Sequence, residues 1–267
     1  MNATTTAQQL YVRGLDMYVE VRGSGAPVLL VPGAGGDAGQ YHELAELLAA
    51  EHRVVSYDRR ANSRTSRPET WRSTSVEEHA DDAAALLTVL KLEGATVFGN
   101  STGSVIALGL ALRHPETVGK AILHEPTLMG VLADPQAAMA EVQPVIAGGM
   151  AQGGLAGATE AFLRYAAGTA YERIPEDARQ RILANADVLF EAEFGSFASW
   201  APDRHQVSKS PVRITVLNGE RTAPFFREAA AWIASCRRST ALTVVGGHMG
   251  FLDEPTAFAA AIADLIR

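Results

Sequence analysis

The sequence is poor in cysteine, with Cys236 as the single example among 267 residues. One thiol cannot form a disulfide within the chain and cannot build a cysteine metal site. So little cysteine is typical of proteins from reducing compartments. We therefore expect a cytoplasmic location and no metal ion held by cysteine.

The sequence also lacks long apolar runs and an excess of positive charge. No run approaches the roughly 20 residues of a membrane span, and residues 1–10 lack the apolar segment of a signal peptide. With 23 basic against 30 acidic residues, the net charge is −7. This chain has no positive field for nucleic acid or an anionic membrane, so we expect neither as a partner. The oligomeric state stays open, with a homodimer as one alternative.

What is present is an ordinary globular composition, 47% hydrophobic and 20% charged, in which strand patterns alternate with helix patterns. This alternation predicts an α/β fold, with a mostly parallel central sheet flanked by helices. The predicted strands cover residues 10–13, 17–21, 27–31, 53–57, 95–98, 121–123, 212–217 and 242–245.

The alternation stops between about residues 128 and 210, where Ala-rich helical patterns follow one another. We expect breaks in these helices at the glycine pairs 148–149 and 153–154 and at Pro175 and Pro202. An insertion of roughly 80 residues is longer than an ordinary connection. We therefore predict a core domain from residues 1–127 and 211–267, and a helical cap from residues 128–210.

A G-x-S-x-G motif, Gly99-Asn100-Ser101-Thr102-Gly103, lies at the predicted turn from a strand to a helix. A strained turn there exposes the serine oxygen above the edge of the sheet, and glycines relieve crowding around it. The N-terminus of the following helix adds free N–H groups and a positive dipole. The alternative is a Gly/Ser-rich turn without chemistry, but this position favours Ser101 as a nucleophile.

On this motif and its context, the chain resembles the α/β-hydrolase superfamily over nearly its whole length. The glycine-rich loop 32–36 stands where the family has its oxyanion loop. The resemblance implies that the N–H groups of Thr102 and Ala34 bind the oxyanion. Gly35 is the alternative to Ala34, because this loop begins with Pro-Gly where many relatives have His-Gly. The resemblance implies no metal and no organic cofactor.

His248 is the predicted base. It lies in the loop between the last predicted strand and the last predicted helix, where the resemblance places the catalytic histidine, and it follows Ser101 in the order that the family has. His124 is a second candidate for the base, because it ends a strand beside Glu125. We expect the other histidines to be solvated: His42, His52, His79, His114 and His205.

The predicted acid departs from the commonest pattern of the family. Most members have an aspartate three residues after a glycine at the end of the seventh strand, and that position here is Thr222. Glu125, at the end of the sixth strand, is the favoured acid, because the apolar run 121–123 delivers it to the edge where ligands bind. The segment also looks like the fungal zearalenone lactonases, which use a glutamate after this strand. Glu220 and an incomplete triad are the alternatives.

The loop 58–65 resembles another family motif, D-x-x-G-x-G-x-S, with Ala61 and Ser63 in place of its glycines. We expect Asp58 to bond backbone groups of the turn. We expect the arginines of this loop to be solvated, or alternatively to face an acidic substrate.

The apolar side chains of the predicted cap favour a medium-sized apolar substrate, for which Met129, Trp200 and Met249 are candidate contacts. Together these features predict a serine hydrolase that cleaves a small-molecule ester or lactone through Ser101, His248 and Glu125. One alternative is a hydrolase of carbon–carbon bonds with the same triad. The other is a ligand-binding protein on the same fold, without turnover.

Overall fold

The computed structural model describes residues 5–267, so that residues 1–4 of the polar N-terminal segment lie outside it. Eight strands form one sheet in the order β1-β2-β4-β3-β5-β6-β7-β8. Their bounds are β1 Thr5–Val12, β2 Leu15–Arg22, β3 Ala26–Val31, β4 His52–Tyr57, β5 Ala95–Asn100, β6 Val118–His124, β7 Arg213–Gly219 and β8 Leu242–Val244.

The pairing is antiparallel between β1 and β2 and between β2 and β4, and parallel from β4 to β8. The predicted mostly parallel sheet is thus confirmed. Strand β5 is buried along its whole length, as its short apolar run predicts for a central strand. Because parallel strands end at the same edge, the loops after β3, β5, β6, β7 and β8 converge there.

Helices cover both faces of the sheet. Leu29 and Val31 of β3 pack on one face, in the same core as α2 (Val76–Leu90), α3 (Thr102–Arg113) and α8 (Pro224–Cys236). Val28 and Leu30 point to the opposite face, as alternation along a strand requires. They share a core with α1 (His42–Leu48) and α10 (Pro255–Ile266).

The segment between β6 and β7 is helical, and the described structure has no strand there. Its longer elements are α4 (Pro135–Ala167), α5 (Glu176–Ala184), a π-helix (Val188–Glu193), α6 (Phe194–Ser199) and α7 (Arg204–Lys209). A short helix, α9 (Gly250–Asp253), follows β8. The division into a core and a cap domain stays a prediction. None of the helices between residues 5 and 267 has the length and apolar character that a membrane crossing requires.

The predicted break at Gly148 and Gly149 is wrong, because α4 continues through both residues. The break predicted at Gly153 and Gly154 is present, because both residues have non-helical backbone angles, with a φ of 61° at Gly154. The two arms of α4 then approach closely, since a Cβ atom on Gly149 would lie 2.4 Å from the carbonyl oxygen of Gly157. Gly149 therefore serves the packing of two helical arms.

Candidate active site

Ser101 lies at the turn between β5 and α3 in a strained backbone conformation, with φ 57° and ψ −127°. Positive φ is uncommon for residues other than glycine and marks stored strain. The flanking glycines permit the turn: a Cβ atom on Gly99 would lie 2.3 Å from the Gly103 oxygen, and one on Gly103 would lie 2.1 Å from the Val31 oxygen. The geometry is that of a serine presented at the edge of the sheet.

Glu125 and His248 meet at the same edge. Oε2 of Glu125 lies 2.8 Å from Nδ1 of His248. The other carboxylate oxygen, Oε1, accepts a hydrogen bond from the N–H of Gly219 at 2.8 Å. Glu125 is fully buried and has a φ of 46°, and its own N–H donates to Leu217 at 2.9 Å. These contacts fix the carboxylate between the ends of β6 and β7.

The Glu125 carboxylate is ionised at neutral pH. Burial by itself would raise its pKa, but the hydrogen bond and the charge of His248 outweigh burial and lower the pKa to about 2. A buried carboxylate with this partner stabilises a positive charge on the imidazole.

Glu220, the alternative acid, is exposed, and its N–H donates to the Val244 oxygen at 3.0 Å. Among the residues that the structure describes, the carboxylate in hydrogen-bond contact with His248 is that of Glu125. Thr222, at the family's usual acid position, approaches the same carboxylate and helps to lower the pKa of Glu125.

His248 is held by three contacts, two of them on its imidazole and one on its backbone. Its ring stacks on Phe226 with a centroid distance of 4.2 Å and an angle of 12° between the planes. Its carbonyl oxygen accepts a hydrogen bond from Nδ2 of Asn100 at 2.8 Å. Because Nδ1 faces Glu125, the remaining ring nitrogen, Nε2, is left for proton transfer.

Sequence reasoning missed Thr127. Its Oγ1 lies 2.9 Å from Oγ of Ser101, and either atom can be the donor. Thr127, Ser101 and His248 all line one cavity. Its position could have indicated a place in the site, because Thr127 follows Glu125 by two residues, at a strand end for which the sequence already predicted a function.

The assignment of Ala34 and Thr102 as oxyanion donors stays a prediction. Ala34 and Thr102 both line the cavity beside Ser101. Gly35, the alternative to Ala34, packs away from it, since a Cβ atom there would lie 2.5 Å from Cγ2 of Ile182 on α5.

His124 is buried beside the site, and burial lowers its pKa to about 4. Its ring is therefore neutral at pH 7, and its Nδ1 lies 3.1 Å from Nδ2 of Asn100. The expectation that His52 and His79 are solvated is wrong, because both side chains are buried.

The cavity above Ser101 has a volume of about 440 Å³ and a mostly apolar wall. Met129 lines it as predicted, but Trp200 and Met249 are not part of the wall that the described residues form. Trp200 instead donates from Nε1 to Glu77 at 2.7 Å, and Met249 is buried in the core with α1 and α10. The apolar wall includes Met129, Ala138, Met139, Val142, Phe162, Leu189, Phe194, Phe197, Phe225 and Phe226.

The expectation that the arginines of loop 58–65 are solvated is wrong for Arg59 and Arg60, which are buried, whereas Arg64 is partly exposed. Arg59 is fully buried and pairs with Glu193 at 2.8 Å, whereas Arg60 pairs with Asp82 at 2.7 Å. Arg64 pairs with Asp58, also at 2.7 Å. Burial of Arg59 and Arg60 is tolerated because each guanidinium has a carboxylate partner.

Asp58 bonds backbone groups as expected, since its Oδ1 accepts from the N–H of Ala38 at 2.8 Å and its Oδ2 from that of Arg64 at 2.9 Å. Within residues 5–267, no three His, Cys, Asp or Glu side chains are grouped as a bound metal ion would need.

A family model described as "alpha/beta hydrolase fold" matches residues 26–255. This match covers most of the chain, so the protein belongs to the alpha/beta hydrolase fold family. A thermophilic esterase from Thermogutta terrifontis has the same fold, with a TM-score of 0.75 and 22% sequence identity. That match covers 100% of this chain and 98% of the esterase.

Two curated relatives are similar over part of their length. The uncharacterized hydrolase YraK of Bacillus subtilis (strain 168) is 46% identical over 123 residues, which are 46% of this chain and 45% of YraK. The zearalenone hydrolase of Bionectria ochroleuca is 30% identical over 115 residues, or 42% of this chain and 44% of that protein. The match thus spans less than half of either relative.

Proposed function

We propose that this protein is a serine hydrolase that cleaves a carboxylic ester or a lactone, with Ser101 as nucleophile, His248 as base and Glu125 as acid. The single observation that carries the proposal is the 2.8 Å contact between Glu125 and His248. A buried carboxylate on Nδ1 holds the imidazole in the tautomer whose Nε2 can take a proton. The strained serine lines the same cavity.

In the proposed reaction, Oγ of Ser101 attacks the carbonyl carbon while its proton passes to Nε2 of His248. The hydroxyl group can accept a hydrogen bond from Thr127 while it donates its own proton, so the Thr127 contact is compatible with this step. The N–H groups of Ala34 and Thr102 bind the oxyanion of the tetrahedral intermediate, each contributing about 3 kcal/mol of barrier lowering.

The intermediate collapses when the bond to the leaving oxygen breaks and His248 returns its proton to that oxygen. An acyl group is then attached to Ser101. Water attacks this ester as His248 removes one of its protons. The bond between the acyl carbon and Oγ then breaks, His248 returns the proton to Oγ of Ser101, and the acid product is released. Throughout, Glu125 stabilises the imidazolium.

The cavity supports an uncharged, medium-sized substrate. Its volume of about 440 Å³ falls in the range of sites for small organic molecules. Aromatic and aliphatic side chains dominate its wall, so a charged acyl group would lose hydration there. The cationic side chain in the wall, Arg221, is paired with Asp253 at 3.2 Å. Names among the relatives, such as zearalenone hydrolase, agree with hydrolysis of an organic substrate.

A panel of aryl esters, macrolactones and diketones, assayed with the wild type and with Ser101→Ala, tests the proposal. We expect turnover of esters or lactones by the wild type and a loss of about 10⁴-fold or more in Ser101→Ala. A fluorophosphonate probe should label the wild type and not the variant. Turnover of diketones alone would indicate carbon–carbon bond cleavage. Absence of labelling, with ligand affinity retained in Ser101→Ala, would indicate a binding protein.

A further inference from the structure

A buried carboxylate lies in the wall of the cavity, away from the three residues of the proposed triad. Glu193 ends the π-helix Val188–Glu193 and lines the cavity, yet only 2% of its surface is exposed. The wider turn of a π-helix is rare and occurs often at functional sites. The segment between β6 and β7 thus delivers a negative charge to the site.

The Glu193 carboxylate is held by the loop that follows β4. Its Oε1 accepts from Nη1 of Arg59 at 2.8 Å and from Nδ2 of Asn62 at 3.0 Å, while Oε2 accepts from Nη2 of Arg59 at 2.8 Å. This two-point contact fixes the plane of the guanidinium as well as its position.

Arg59 also holds the loop that carries Ala34. Its Nη2 donates to the carbonyl oxygen of Gly33 at 3.0 Å, and its backbone N–H donates to the Gly36 oxygen at 2.8 Å. Asn62 supports the same loop, because a Cβ atom on Gly36 would lie 2.6 Å from Cγ of Asn62. Both ends of the segment 33–36 are therefore attached to residues that contact Glu193.

Arg59 is the group that neutralises the charge of Glu193, because the other titratable and charged groups nearby, His79 and Arg60, do not. His79 lies 3.6 Å from the carboxylate, but burial and the charges of Arg59 and Arg60 lower its pKa well below the usual value. Its ring is therefore neutral. Arg60 is bound to Asp82.

We propose that Glu193 and Arg59 are positioning residues for the reaction. Glu193 orients the Arg59 guanidinium, which holds the Gly33 carbonyl and thereby aims the N–H of the next residue, Ala34, at the oxyanion. This inference rests on the proposed function, in which that N–H binds the oxyanion. A buried ion pair is a weak source of stability, since apolar residues of similar volume often replace one without loss. Control of the loop gives the pair a role that apolar residues cannot supply.

The test compares two double variants, each of which removes a buried arginine together with its carboxylate partner. Arg59→Met/Glu193→Leu removes the contact with Gly33. Arg60→Met/Asp82→Leu is the control, because both side chains are buried, the two contact each other and not loop 33–36, and neither is among the residues of the cavity wall. This control also removes the contact of Asp82 with Arg13 at 2.7 Å. The measurements are kcat and KM on an ester that the wild type hydrolyses, the rate of labelling of Ser101 by an aryl phosphonate, and the thermal unfolding midpoint.

We expect kcat and the labelling rate of Arg59→Met/Glu193→Leu to fall about 10- to 100-fold, with KM within about threefold of the wild type, because misplacement of a catalytic group by about 1 Å costs this much. The control should keep kcat within about threefold. Wild-type kcat in the first variant, or equal losses in both, would overturn the inference.

Two further variants keep the test decisive if either double variant fails to fold. Glu193→Gln preserves volume but weakens the hold on Arg59, so kcat should fall at nearly constant KM, and an unchanged kcat would overturn the inference. Arg59→Lys keeps the positive charge, but an ammonium group cannot bind the Glu193 carboxylate and the Gly33 carbonyl in the same geometry. Its kcat should therefore also fall. Undiminished turnover by Ser101→Ala would instead contradict the proposed function, which separates the two failures.

Discussion

Oε2 of Glu125 lies 2.8 Å from Nδ1 of His248, although the two residues are 123 positions apart in the sequence. The same carboxylate binds the N–H of Gly219, the last residue of β7. The resemblance noted from the sequence would place the acid in the segment that follows this strand, at Thr222. The end of β6 instead carries a carboxylate that reaches across to β7 and contacts His248.

The first prediction separates Glu125 from Glu220. In Glu125→Gln the amide can offer an N–H to Nδ1, which favours the wrong imidazole tautomer, so kcat should fall about 10³- to 10⁴-fold. Glu220→Gln changes an exposed side chain and should keep kcat within about threefold. Steady-state kinetics on one ester checks both variants, and equal activity of the two would refute the assignment of Glu125.

A second prediction concerns stability at low pH. The pKa of Glu125 is about 2 in the folded protein against an ordinary 4.5, so the folded state binds this proton less readily than the unfolded state does. Ionised Glu125 therefore contributes stability that is fully present above about pH 5 and is lost as the pH falls toward 2. The contribution is on the order of 3 kcal/mol.

Urea unfolding of the wild type and of Glu125→Gln between pH 7 and pH 3.5 measures this effect. The difference in unfolding free energy between the two proteins should be largest at neutral pH and should narrow below pH 5. A difference that stays constant over this interval would show that the carboxylate does not titrate as described.

The parts of this molecule that the sequence predicted are those coded by local patterns. The sequence of strand β5 contains a short apolar run, and Ser101 follows it in a glycine-flanked turn. The position and the backbone conformation of Ser101 are therefore determined by a few neighbouring residues. The loop of His248 was predictable in the same way, because it lies between a strand and a helix that each have a clear pattern.

The parts that could not be predicted depend on contacts between distant segments. Arg59 and Arg60 appeared solvated because their carboxylate partners, Glu193 and Asp82, are 134 and 22 positions away in the sequence. The orientation of Trp200 could not be predicted either, because its indole N–H donates to Glu77 on α2, which is 123 positions away in the sequence. Periodicity tells which residues are apolar, but not which of them line the cavity.

A third prediction tests the close approach of β3 to the serine turn. In Gly103→Ala the new methyl group would lie 2.1 Å from the Val31 oxygen and 2.8 Å from the Pro32 oxygen. Backbone must move to admit it, so the unfolding free energy should fall by about 2–4 kcal/mol.

Gly148→Ala is the matched control for this change. Gly148 lies within α4 with no atom within 4 Å of its Cβ position, and alanine is favoured over glycine in helices by about 1 kcal/mol. This variant should unfold at the same or a higher denaturant concentration than the wild type. If the two variants were equally stable in chemical denaturation, close packing around Gly103 would not be the reason for glycine there.

The fourth prediction addresses the size of the substrate. Val142 of α4 lines the cavity and is nearly buried, so Val142→Trp should fill part of the space above Ser101. We expect KM for p-nitrophenyl octanoate to rise about tenfold or more, while KM for p-nitrophenyl acetate stays within about threefold, because only the longer acyl chain needs that space.

The control is Val89→Trp, at a position on α2 that is 48% exposed and outside the cavity wall. A parallel rise in KM for both esters in Val142→Trp would mean that the tryptophan disturbs the site as a whole, and an unchanged KM for the octanoate would mean that the acyl chain binds elsewhere.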